Sequence, residues 1–517
     1  MNNKTRTANS IQNIIVALTC QVLGSLLGFV TKTIFLNLLG DTYNGMLGFF
    51  ANIVSLLSLA ELGLGTAIVF ALYKPIADND MVRLQSLMGF YKKVYTYIAG
   101  IVLGLGILVM PFLPLLMKGV KDNNYIYLYY FIYLMGTVTS YLFIYKSALL
   151  NADQRNRIVR LVNMIFTILR NLIEIGVLLL THNFIAYLCV QLCCILLNNF
   201  TISAIANKLY PWLKGKAEIL PKEDAKKIFL DVKSMLVYKI GGVVLYNTDN
   251  ILITLIVGVI AVGYYSNYMM FVSLVMTALE LIFSAITGSI GNLNANIDVK
   301  HSKRIYEIIN LISFWLHAFF AISLFILLDD VVLWWIGEER VLGTVVSLAL
   351  ALNLFFVGFL HGTTIFRNTT SLFRKTKFII LITAGLNIVL SIGMGYAWGI
   401  AGIVLATSIS RLLTNFWYEP HILHKDIFEC SSKGYFIKVA KYVIIAIVAG
   451  SATYFLAGLI AYSGIWSIIY KLFICLSVPN LIFLLFFCRS TEFQYVWKRA
   501  LDFLKKGKGK QEKKVVE

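Results

Sequence analysis

Charge is scarce in this 517-residue chain: Asp, Glu, Lys and Arg make up 14% of it, against about 25% in a soluble domain. With 59% hydrophobic residues and a mean hydropathy of +0.79, that deficit excludes an ordinary soluble protein and points to a polytopic membrane protein. Proline is rare (7) while glycine is not (36), a balance suited to long helices that pack closely in lipid. The seven cysteines (Cys20, Cys189, Cys193, Cys194, Cys430, Cys475 and Cys488) lie almost entirely in apolar runs. They read as small buried hydrophobes and not as a disulfide framework. No P-loop, HExxH or nucleophile elbow occurs. No cleavable signal peptide is expected, because the first apolar run, 11–39, is too long for an h-region and lacks a convincing small-residue cleavage site.

Cations, by contrast, are in excess: 45 Lys and Arg against 26 Asp and Glu give a formal charge of +19. In a membrane protein such residues gather in cytoplasmic loops and set orientation, so nucleic acid is not an expected partner. About 20 apolar residues span the hydrocarbon as a helix. Fourteen segments qualify: 11–39, 45–73, 94–117, 124–145, 161–180, 183–206, 234–258, 259–290, 305–328, 341–366, 378–397, 400–420, 439–461 and 466–488. With the N-terminus placed in the cytoplasm, 36 Lys and Arg fall on inside segments, 3 on outside loops and 6 within spans. That asymmetry predicts cytoplasmic termini, short outside loops and no soluble domain. The basic tail LKKGKGKQEKK (504–514) reads as a solvated end that touches anionic lipid.

A shift of 218 residues lays 39–62 on 257–281, placing Gly40 on Gly258, Gly45 on Gly263, Ser55 on Ser273 and Ala60 on Ala278, with Glu61 and Glu280 within one position. Under the same shift Gln21, Gly24, Gly28 and Thr31 fall on Lys239, Gly242, Tyr246 and Asp249, a stripe on one helical face. A shift of 220 lays Asn163, Thr167 and Asn171 on Thr383, Asn387 and Ser391. The expected fold is therefore all-α: two six-helix bundles related by a parallel repeat, plus two C-terminal helices. Its parts would be an N-terminal bundle (1–206), a basic cytoplasmic linker (207–233), a second bundle (234–424), two appended spans (425–488) and a basic tail (489–517). Parallel two-bundle membrane proteins move a solute through the cleft between their halves by alternating access.

Eight charges lie well inside spans: Lys32, Glu61, Arg170, Glu174, Lys239, Asp249, Glu280 and Arg411. One reading is that they pair with one another and staple helices together, as Arg170 and Glu174 could at i,i+4. The other is that they face a wet cavity, where intramembrane charges mostly point. The four cations, Lys32, Arg170, Lys239 and Arg411, suit a phosphate-bearing solute. Glu61, Glu174, Asp249 and Glu280 are then expected to couple or gate, with a proton or sodium ion as the coupling ion and no cofactor. Smaller signals have plain readings: GSLLG (24–28) as close helix packing, DND (78–80) as a loop, and HILH (421–424) and CVQLCC (189–194) as interfacial and core residues, with no metal site.

The stretch FLNLLGDTYNGMLGFFANIVSLLSLAELGLGTAIVFALYKPIADND (35–80) resembles the first hairpin of bacterial polysaccharide repeat-unit flippases, which carry O-antigen or capsule units. The stretch 371–423, ending in FWYEP before HIL, resembles the span 11–12 region of that polysaccharide transporter family, within the multidrug/oligosaccharidyl-lipid/polysaccharide exporter superfamily. The resemblance implies translocation of an undecaprenyl-diphosphate-linked oligosaccharide to the outer leaflet of the bacterial cytoplasmic membrane, driven by an ion gradient. It also implies membrane lipid, a glycan polymerase and other envelope-biosynthesis proteins as partners, and no enzymatic activity. A multidrug or cation antiporter of the same superfamily is the alternative reading.

Overall fold

In the computed structural model, residues 23–61, 64–117, 125–153, 155–215, 220–294, 299–370, 372–459 and 464–498 are described, and no strand occurs among them. Apolar segments in lipid must satisfy every backbone N–H and C=O internally, which long helices do. Two compact units result, residues 1–266 and 267–517. The first contains α1 (Leu23–Leu38), α2 (Asp41–Leu57), α3 (Leu64–Ala77), α4 (Met81–Val109), the short α5 (Leu113–Leu116), α6 (Ile126–Tyr141), α7 (Ile144–Ala152), α8 (Asn156–Thr181), α9 (Phe184–Leu209), α10 (Lys222–Ile256) and the start of α11 (Val259–Asn294). The second contains the rest of α11, then α12 (Val299–Ile336), α13 (Thr344–Thr369), α14 (Phe373–Leu413), α15 (Asn415–Asp426), α16 (Lys433–Gly458) and α17 (Ile465–Phe487).

Local chemistry sets the breaks. Gly40 and Gly258, which coincide under the 218-residue shift, both take positive φ (87° and 128°) and end α1 and α10 in the same way. Only glycine adopts that conformation without a Cβ penalty. The DND stretch is a turn that caps α4: Asn79 is left-handed, and Asp80 accepts a hydrogen bond from the Arg83 amide at 3.0 Å. Asn183 caps α9 in the same manner, accepting from Ile185 at 2.8 Å.

Nine helices among the described residues are long and apolar enough to cross a membrane, or ten when the bent pair α6 and α7 counts as one. The difference from fourteen segments has physical causes. The segments 378–397 and 400–420 form one run, broken where Gly399 leaves helical φ/ψ (60°, −135°). The segment 45–73 is interrupted by a 3₁₀ turn, Ser58–Glu61. Residues 11–22 of the first segment, and the tail 504–514, lie outside the described residues. Lipid-facing sides are plain all the same: Leu180, Leu485 and Tyr396 are at least 75% exposed, an apolar surface that suits hydrocarbon and not water.

Each unit has an aromatic core. In the first, Phe184 at the start of α9 meets Phe35, Tyr43 and Tyr129 with ring centroids 4.6–6.1 Å apart, fastening α9 to α1, α2 and α6. In the second, Phe314 of α12 lies against Phe359 of α13, Tyr442 of α16 and Phe483 of α17. Edge and stacked pairs of this kind add to the energy of burial itself.

Charges just beyond the apolar segment 305–328 are helical. The helix α12 runs on to Ile336, so Asp329 and Asp330 lie within it. Asp329 accepts hydrogen bonds from Tyr268 (2.7 Å) and Ser347 (2.8 Å), and Asp330 pairs with Lys471 of α17. Lys438 at the start of α16 bridges Glu307 of α12 (3.1 Å) and Glu492, which follows the last span (2.8 Å). Burial works against the Glu492 charge, but the hydrogen bond from Lys438 holds its carboxyl below the usual carboxylate value. A lowered carboxyl stabilises above its unfolded value and stops doing so as pH falls through the folded one. Melting curves from pH 7 down to 3 should therefore show an acid limb that Glu492→Gln flattens; an unchanged limb would mean the bridge contributes nothing. Salt will weaken the effect, since Lys438 is 42% exposed.

Candidate functional site

The hairpin of α1 and α2 delivers the first predicted residue. Lys32 donates to Asn44 Oδ1 and lies 3.5 Å from Ser266 Oγ, at the start of α11. Asn44 is 1% exposed and uses its amide fully, donating to Gly263 O at 2.8 Å and Ser266 Oγ at 2.9 Å. The chain backbones can approach so closely there because the helices meet at glycines. A Cβ on Gly45 would collide with the Val259 carbonyl, and one on Gly263 with the Asp41 carbonyl.

One residue before Lys32, buried Thr31 donates to Asn171 Oδ1 of α8 at 2.9 Å. That bond sets α8 so that Arg170 and Glu174 flank it, with Arg170 Nε 3.6 Å from Glu174 Oε1. The two differ sharply in access: the guanidinium side chain is 34% exposed, the carboxylate side chain 3%. A cation backed by a buried carboxylate keeps its orientation and offers its outer edge to an anion. The guanidinium also lies within electrostatic reach of Tyr133 on α6 and Tyr187 on α9.

Glu61 ends the 3₁₀ turn that breaks the second predicted span. It accepts from Tyr95 Oη at 3.3 Å and lines a cavity of about 310 Å³. Tyr133, Thr137, Ser140, Tyr141 and Gln191 share that lining. Tyr133 thus joins the Glu61 cavity to the Arg170–Glu174 pair, and one unit brings three predicted residues together. A broken span leaves backbone polar groups that need a polar or wet neighbour, which is where non-helical backbone is tolerated in a membrane.

Asp249 lies on α10 near buried Tyr265. Lys239 lies on the same helix, with its side chain outside the described residues. Glu280 is exposed on α11, and Arg411, 3% exposed, donates to Asn353 of α13 at 2.7 Å. The polar stripes bond within their own units: Asn163 accepts from Asn198, Asn387 donates to Thr407, and Thr383 reaches Asn415 at 2.5 Å. The GSLLG reading is corrected: a Cβ on Gly24 would meet Thr167 at an ordinary 3.8 Å, and one on Gly28 nothing within 4 Å, so neither glycine marks a close helix approach among the described residues. His421 bonds Ser432, and no group of three or more His, Cys, Asp or Glu fit for a metal occurs among the described residues.

A buried ion pair escaped the sequence reading. Arg367 and Glu419, 3% and 2% exposed, join α13 to α15, with Arg367 Nη1 2.7 Å from both carboxylate oxygens. Glu419 stands in FWYEP, whereas Arg367 lies one residue beyond the apolar segment 341–366.

Known proteins supply the context. The sequence profile of a family described as polysaccharide biosynthesis protein matches residues 10–289, just over half of the chain. Among solved structures, a lipid II flippase, MurJ, in an inward closed conformation is similar with a TM-score of 0.66 at 17% identity, covering 92% of this chain and 99% of that one. An inward-facing multidrug resistance MATE family transporter of the MOP superfamily has a TM-score of 0.58 at 15% identity, covering 78% and 97%. A MOP superfamily transporter from Pyrococcus furiosus, described as having a binding pocket of reverse polarity, has a TM-score of 0.53 at 15% identity, covering 78% and 92%. These likenesses show the fold. No curated protein sequence matches the chain.

Proposed function

Since the chain belongs to the polysaccharide biosynthesis protein family, and is an all-α, multi-pass membrane protein with the fold of MOP superfamily transporters, we propose that it is a flippase for an undecaprenyl-diphosphate-linked oligosaccharide in the bacterial cytoplasmic membrane. The carried unit would be a repeat unit of capsule, O-antigen or exopolysaccharide, passed on to a glycan polymerase and other envelope-biosynthesis proteins. The observation that carries the reading is the pairing of a half-exposed cation, Arg170, with a buried carboxylate, Glu174, beside a polar cavity inside a membrane unit. Guanidinium and ammonium groups bind phosphate oxygens through charge-assisted hydrogen bonds, so Lys32, Arg170, Lys239 and Arg411 would hold the diphosphate. Glu61, Glu174, Asp249 and Glu280 would gate or couple to a proton or sodium ion, and alternating access would carry the headgroup between leaflets.

The test is export of repeat units in a strain whose own copy is deleted. Removing one charge-assisted contact, as in Arg170→Gln, should lower export at least about ten-fold, and neutralising all four cations should abolish it. Intact export by the fourfold variant would overturn this site. Drug resistance conferred by the wild-type chain, with no effect on glycan export, would favour the antiporter reading instead.

A further inference from the structure

In the second unit, the start of α16 forms a cavity with α12 and α15. Its volume is about 90 Å³, roughly three times the share of one water in the liquid. Lys303, Glu307, His424, Gly434, Tyr435 and Lys438 are among its lining.

Three independent features converge there. First, α16 begins without a side-chain cap, its N-cap residue being Ser432. The Gly434 and Tyr435 amides in its first turn have no acceptor among the described residues. Unpaired amides at the positive end of a 26-residue helix attract an anion, and Gly434 has no side chain to fill the space before them. Second, Glu307 and Glu492 both engage Lys438, whereas half-buried Lys303 makes no bond among the described residues and is the cation left to meet an anion. Third, His424 is 3% exposed and its Nδ1 lies 2.8 Å from the Pro420 carbonyl. A carbonyl only accepts, so Nδ1 carries the proton and Nε2 is an acceptor. Nothing among the described residues donates to it. The cavity therefore asks for an anion that also bears a hydroxyl.

Its surroundings add a fatty chain. Ile437, Ile444 and Ile447 on α16 are each more than 60% exposed, and Trp417 and Tyr418 on neighbouring α15 are exposed too. Exposed Trp and Tyr at the end of a span mark the headgroup level of a bilayer. We propose that this cavity binds the headgroup of an anionic phosphodiester lipid with a free hydroxyl, of the phosphatidylglycerol type. Its phosphate meets Lys303 and the Gly434 and Tyr435 amides, its hydroxyl donates to His424 Nε2, and its acyl chains lie along the exposed isoleucines of α16. Basic pockets among transmembrane helix ends are suited to such headgroups.

Native mass spectrometry of the full-length chain in detergent, titrated with phosphatidylglycerol or phosphatidylcholine, tests the site. One phosphatidylglycerol should be retained in preference to phosphatidylcholine. Lys303→Met, which keeps the aliphatic stem, should weaken its retention about ten-fold. Gly434→Asp supplies a carboxylate to the same amides, favourable for the helix, and should block the lipid while leaving the melting temperature level or higher. That pairing of lost lipid with an undiminished melting temperature is not what a merely structural role would give. Wild-type retention by both variants, or equal retention of the two lipids, would overturn the proposal. Displacement by equimolar glycerol 1-phosphate or inorganic phosphate would overturn the lipid assignment in favour of a free phosphate.

Discussion

Arg367→Ala should destabilise the protein by about 3–5 kcal/mol, because it leaves the Glu419 carboxylate buried with no counter-charge. Both partners are almost wholly enclosed, and one guanidinium nitrogen serves both carboxylate oxygens at 2.7 Å. The bonds from the guanidinium to the neighbouring Asn368 are longer, 3.4 and 3.5 Å. Replacing both members with apolar residues of similar volume, Arg367→Met with Glu419→Leu, should cost far less than either single change, since no orphan charge remains. Unfolding of the purified chain in detergent by heat or denaturant would decide it. A single variant as stable as the double one would mean that water already reaches the pair.

Gly45→Val should be comparably severe, at about 3 kcal/mol. Its new Cβ would overlap the Val259 carbonyl, and a backbone atom cannot rotate away as the end of a side chain can. Relief would require α2 to withdraw from α11, which would also stretch the bonds from Asn44 to Gly263 and Ser266 and release Lys32. Gly28→Val supplies the control on the neighbouring helix: its Cβ meets nothing within 4 Å among the described residues, and loss within about 0.5 kcal/mol is expected. Equal melting temperatures for the two variants would show that the close approach is not a constraint.

The fold was legible because lipid imposes a coarse grammar. Long apolar runs have to become helices, and Gly40 and Gly258 mark equivalent breaks that a simple shift of the sequence reveals. The site was legible only in part. Lone charges such as Glu61 stand out against an apolar background, but its place at a 3₁₀ interruption depends on backbone geometry that no single residue announces. Arg170 and Glu174 were readable as neighbours from their spacing, whereas the contrast in their exposure comes from packing against α1 and α9. Arg367 and Asp329 each fall one residue beyond an apolar segment, 341–366 and 305–328. Both lie near the ends of helices that run further than their apolar cores, and a composition window stops where charge begins. The polar residues Asn387 and Thr383 had the right periodicity for a cavity wall, yet their bonds run to Thr407 and Asn415 in the same unit.

The meeting of α2 with the start of α11 is reciprocal: Gly45 approaches Val259 while Gly263 approaches Asp41, and the 218-residue shift exchanges the two pairs. A junction that maps onto itself in this way is isologous, the kind two identical subunits use to form a twofold dimer. A half-length polypeptide carrying one such hairpin would thus hold both faces of the joint, and the covalent chain supplies proximity to an association whose shape the glycines already encode.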